Sequence, residues 1–67
     1  MEIRRNFAKN LLLMLKERNL KQKDFAKLVG VGETCVSKWL LMKTEPTLSN
    51  IDKILKALNC TYDELVG

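Results

Sequence analysis

Apolar residues recur along this chain at spacings of three and four, the pattern of helices that bury one face. At 100° per residue, Ile3, Phe7, Ala8, Leu11, Met14 and Leu15 share one side of a segment over about residues 3–18. Arg5, Asn6, Lys9, Lys16 and Glu17 share the other, with Leu13 falling among them. A second helix is predicted over 22–29, with Phe25, Ala26, Leu28 and Val29 as its apolar side. It has only two turns, so it depends on packing for its stability. A third runs over about 33–41 or 33–42. Cys35, Val36, Trp39 and Leu40 take one half of its circumference; Glu33, Thr34, Ser37, Lys38 and Leu41 take the other. A fourth covers 48–58, with Leu48, Ile51, Ile54, Leu55 and Leu58 in one stripe, and a fifth covers 62–66. No segment alternates as a strand does.

The punctuation between these segments agrees with their periodicity. Gly30 follows the last apolar position of the second helix, where a residue of positive φ can close it. Val31 then turns inward, and Gly32 caps the third helix without a side chain to offer. Thr47, just after the single proline Pro46, is a good N-cap for the fourth helix, and Asn59 can take the left-handed position that ends it. Thr61 and Glu64 form a capping-box pair. The expected fold is all-α: five short helices around one core, in a single domain spanning residues 1–67. A domain of this size buries only ~60% of the surface its unfolded chain exposes. Each large apolar side chain therefore matters.

Charge and chemistry narrow the function. Twelve Lys and Arg against eight Asp and Glu give a net charge of +4, which suits an anionic partner such as nucleic acid without requiring one. The chain has no histidine, no clustered carboxylates and no glycine-rich phosphate loop, so neither an enzyme nor a cofactor is expected. Cys35 and Cys60 lie far apart and form no CxxC pair, so no metal is expected. They read as reduced thiols of a cytoplasmic protein, Cys35 as a packed one. No stretch approaches the ~18 apolar residues of a membrane span. The positive start of "MEIRRNFAKNLLLMLKERN" is followed at once by more Lys and Glu, with no small-residue cleavage site, and reads as helix rather than signal peptide.

Two short helices joined by a tight glycine turn, the second with short polar groups on its outer side, make a helix-turn-helix over about 22–41. A purely structural surface helix more often carries Glu and Lys at i, i+4. The segment "QKDFAKLVGVGETCVSKWL", residues 22–40, resembles the Cro/repressor (XRE) helix-turn-helix family, with the lambda-repressor-like fold. The likeness continues through Lys43, Pro46 and "LSNIDKILKALNCTYDEL". Its anchors are Gln22, Ala26, Gly30, Val36 and Trp39. The resemblance implies a sequence-specific DNA-binding transcriptional regulator, a repressor by expectation, with the third helix in the major groove of double-stranded DNA. Gln22 would meet a phosphate or brace that helix. Glu33 and Thr34 would be first at base edges, with Ser37 and Lys38 one turn later, while Gly32 and Lys43 would approach the backbone. Trp39 reads as core rather than as a stacking platform.

Such proteins act as pairs on two-fold sites, so a homodimer is implied, formed in solution or only on DNA. Tyr62, Leu65, Val66 and Leu13 are spare apolar groups that could meet a second copy; Tyr62 and Leu65 could equally cap the core. The chain departs from its family in several places. Lys21 stands where a capping Ser or Thr is common, Gly32 likewise, Met42 where relatives have a glycine, and Glu45 where a cation would face phosphate. Leu15 and Leu40 stand where relatives often have an Arg–Glu salt bridge. Losing both charges together can be neutral or stabilising, whereas losing one costs ~3–5 kcal/mol. A contact between Leu15 and Leu40 is therefore expected. The acid and apolar groups Glu33, Glu45, Leu41 and Met42 also fit a different reading: a protein-interaction module, or an antitoxin-like partner, built on the same fold.

Overall fold

A computed structural model of the chain describes residues 2–67, with side chains from residue 5 onward. Among the described residues every regular element is a helix: α1 Glu2–Glu17, α2 Gln22–Val29, α3 Glu33–Leu40, α4 Leu48–Leu58 and α5 Tyr62–Val66. α1 packs against α5 and α3, and α2 packs against α3 and α4. The predicted place of Ile3 on the apolar side of α1 lies outside the described side chains.

The core draws on all five helices. Phe7, Leu11 and Leu15 from α1 meet Phe25, Ala26 and Val29 from α2, Val36 and Trp39 from α3, Ile54 and Leu58 from α4, and Leu65 from α5. Trp39 is buried and meets Phe7 edge-on, with ring centroids 6.2 Å apart and planes at 74°. An aromatic pair of this geometry adds ~0.5–1.5 kcal/mol beyond its area and ties α1 to α3. Leu15 is buried, and Leu40 packs half-buried against the cluster that contains it.

The first four helices all end in the same way. A residue of positive φ follows each, and the next N–H reaches back to the carbonyl five residues earlier, the Schellman arrangement. Asn19 (φ 56°) ends α1 with Leu20 N–H donating to Leu15 O at 2.9 Å. Gly30 (φ 84°) ends α2 with Val31 N–H donating to Ala26 O at 3.0 Å. Met42 (φ 61°) and Asn59 (φ 53°) do the same for α3 and α4, through Lys43 N–H to Lys38 O at 2.9 Å and Cys60 N–H to Leu55 O at 3.1 Å. The predicted caps are present: Thr47 Oγ1 accepts from Asn50 N–H, and Thr61 and Glu64 exchange both capping-box bonds. Lys21 and Gly32 stand at N-caps that carry no side-chain hydrogen bond.

Several expectations are corrected. α3 stops at Leu40 rather than at 41 or 42, because Leu41 is its C-cap and Met42 has already turned left-handed. Leu28 is exposed: Phe25, Ala26 and Val29 already fill the inward arc of so short a helix. Leu48, 85% exposed, sits at the first position of α4, where the helix has not yet reached the core. Leu65 is wholly buried against the core, so its side chain offers nothing to a second copy, while Val66 is half-buried against that core. Tyr62 and Leu13 remain exposed.

Two polar side chains, Asn10 on α1 and Arg18 just past its end, hold α5 and the end of α4. Arg18 Nη2 donates to Leu58 O at 2.9 Å, satisfying a carbonyl at the end of α4. Asn10 Nδ2 donates to Leu65 O at 3.0 Å. Both cysteines are free and half-buried. Burial, reinforced by the Glu64 carboxylate, pushes the Cys60 thiol up, against the lowering effect of Arg18.

Candidate nucleic-acid interface

α2 and α3 are set by the core side chains beneath them, and their outer surfaces meet across the turn at Gly30–Gly32. Gln22, the first residue of α2, is half-buried and donates from Nε2 to the Glu33 backbone carbonyl at 3.3 Å. It therefore braces the start of α3, one of its two expected roles. Gln22, Glu33, Thr34 and Ser37 line an open concavity of about 230 Å³ between the two helices.

The other predicted residues fall around this notch. Glu33, Thr34 and Lys38 are exposed and Ser37 is half-buried, all on the side of α3 away from Val36 and Trp39. Glu33 opens the helix, where its carboxylate complements the positive end of the dipole. Gly32 is exposed, and a Cβ built there would meet nothing within 4 Å, so the backbone at the start of α3 is open to close approach. Lys43 is exposed just beyond the other end, with its N–H closing the α3 terminus. The structure thus gathers Gln22, Gly32, Glu33, Thr34, Ser37 and Lys38 on one surface, and Lys43 borders it. Tyr62 and Val66 lie on α5.

The outer faces of α3 and α4 differ in kind. α4 carries the i, i+4 ion pair Asp52–Lys56, 3.1 Å apart, on a solvated surface. α3 presents two hydroxyl side chains, a lysine and, at its cap, Leu41, which is 60% exposed. Such a face gains little from solvent and offers short hydrogen-bonding groups to whatever lies against it.

Helices of this order and packing, with the glycine-turned pair α2–α3 presenting a polar outer face, invite comparison with known domains. The family model described as "Helix-turn-helix" matches residues 11–65. The chain belongs to the XRE-type helix-turn-helix family. Its fold is the lambda-repressor-like one that the sequence resemblance implied. Among curated proteins, "Repressor protein C2" of Salmonella phage P22 is 35% identical over 51 residues, covering 76% of this chain and 24% of that protein. The helix-turn-helix chain thus spans about a quarter of the length of that relative. No solved structure gives a significant match.

Two further residues at this surface, Leu41 and Met42, stand outside the expected site residues. Leu41 lies in the middle of the outer side of α3, where its sequence position allows either a thymine methyl or a protein partner as its contact. Met42 was seen to replace a glycine. The backbone shows why relatives use one: the position is left-handed. Among the described residues no His, Cys, Asp and Glu cluster could hold a metal ion, and no helix is long and apolar enough to cross a membrane.

Proposed function

We propose that this domain binds double-stranded DNA as a sequence-specific transcriptional regulator, a repressor, laying α3 in the major groove and working as a pair on a two-fold site. The observation that carries the reading is the outer face of α3. Thr34, Ser37 and Lys38 stand clear of the core on a helix whose start is fixed by the Gln22–Glu33 bond. Each has a base-edge partner: Lys for guanine O6 and N7, Ser and Thr for several acceptors and donors, and Thr also for a thymine methyl.

Around them, phosphate contacts have evident sources. The open backbone at Gly32 lies at the positive end of α3, and a helix N-terminus favours anions. Gln22 Nε2 carries two hydrogens, so the bond to Glu33 leaves one for a phosphate oxygen. Lys43 and Lys21 add charge on either side. A repressor that is similar over three quarters of this chain supports the same reading. Pairing is supported by reach: one helix of eight residues spans few base pairs, and two copies on a palindrome double the site.

Binding to duplex DNA across a salt series tests the proposal. A domain neutralising ~4–6 phosphates per copy loses affinity with a log–log slope of about −0.9 per contact. Lys38→Ala should relax base preference, while Lys43→Ala should weaken all duplexes alike. Absence of duplex binding at low salt overturns the reading.

A further inference from the structure

Leu41 is the largest unexplained feature of the candidate interface. It is the C-cap of α3, and its backbone (φ −86°, ψ 1°) still lies close enough to helical that it continues the helix surface. Thr34, Ser37, Lys38 and Leu41 therefore stand at i, i+3, i+4 and i+7, one row along the outer side. Seven residues bring Leu41 back to within ~20° of the line of Thr34. This row faces away from Val36 and Trp39, which are buried, and Leu41 remains 60% exposed. Leu41 belongs to neither the core cluster nor the side chains packed against it.

We propose that Leu41 is a specificity-determining residue that reads the C5-methyl group of a thymine in each half-site. The assignment rests on the DNA-binding reading above. Apolar contact with that methyl is the one apolar signal the major groove offers, and it separates thymine from every other unmodified base there. Leu41 lies about 10 Å along the helix from Thr34, at ~1.5 Å per residue. The thymine it reads therefore lies to one side of the position facing Thr34, in the direction of the C-terminal end of α3. The apolar surface is small. Leu41 and its neighbour Met42, 44% exposed, are two side chains among polar ones. That falls far short of the ~800 Å² per partner of a stable protein interface, yet suffices for one methyl group.

The test uses the full chain and a half-site selected from a random duplex pool. Each thymine is replaced in turn by deoxyuridine, which removes only the methyl group, and affinity is measured for the wild type and for Leu41→Ala. One replacement per half-site should weaken wild-type binding about 3- to 5-fold, the worth of one buried methyl. Leu41→Ala should bind the unmodified site weaker by a similar factor and no longer respond to the replacement. It should melt with the wild type, because Leu41 is outside the core. A selected site without thymine, a flat replacement scan, or equal sensitivity in both proteins overturns the assignment. If duplex binding is salt-dependent while the scan is flat, Leu41 alone is reassigned. If no duplex binds at any salt, the DNA reading falls with it, and Leu41 and Met42 belong to a protein contact.

Discussion

Two turns bracket α3, and they share one backbone geometry with opposite chemistry. Before α3, Gly30 takes φ 84° and Val31 N–H closes on Ala26 O; after α3, Met42 takes φ 61° and Lys43 N–H closes on Lys38 O. A residue with a Cβ in this region loses ~1–2 kcal/mol relative to right-handed backbone, and glycine does not. The first turn is therefore relaxed and the second is strained, although the hydrogen bonds are alike. The lesson is that the position of a turn and the residue that makes it easy are separate facts.

The largest effect comes from removing what both turns serve. Trp39→Ala should destabilise the domain by about 3–5 kcal/mol, with loss of the Phe7 contact, and leave no cooperative melt in so small a core. If the variant still unfolds sharply by circular dichroism, α3 is not seated by Trp39 and the two turns need not be compared as its mounts. Next, Gly30→Ala should lose about 1 kcal/mol in urea denaturation. A Cβ there meets nothing within 4 Å, so the whole loss is backbone strain. An unchanged midpoint would mean that the turn moves when substituted.

The reverse change at the second turn should be smaller and opposite. Met42→Gly removes the strain but adds freedom to the unfolded chain, for a net gain of about 0.5 kcal/mol. A loss instead would show that the methionine side chain holds the turn. Smallest of all, Gly32→Ser gives α3 the side-chain cap it lacks, in open space, and should add a few tenths of a kcal/mol. That variant also separates stability from binding: if Gly32 is where backbone meets phosphate, stability should rise while duplex affinity falls.

These turns also explain how much could be read in advance. Gly30, Thr47, Asn59 and the Thr61–Glu64 box were legible because each residue type is selected for one backbone geometry, and their helices start or stop at those residues. The end of α3 was not, because methionine carries no such preference and only comparison with relatives exposes the position. Leu28 and Leu48 misled for another reason. Periodicity finds the apolar side of a helix but not how wide an arc its neighbours cover. α2 has room against the core for Phe25, Ala26 and Val29, and Leu28 lies past that edge. On α3, the side turned away from the core followed from spacing alone. The bond from Gln22 to the Glu33 carbonyl did not, since spacing along one helix says nothing of its partner.

The tie between Asn10 and Leu65 spans 55 residues of chain, and α1 lies along α5 at both ends of the sequence. Neighbours so distant must find each other against the entropy of closing a long loop, whereas α2 and α3 need only fold back over a three-residue connection. The expected order of folding is thus the turn first and the closure of α1 onto α5 last. A nascent or truncated chain that lacks α5 would hold the α2–α3 pair while leaving the α5 side of α1 uncovered.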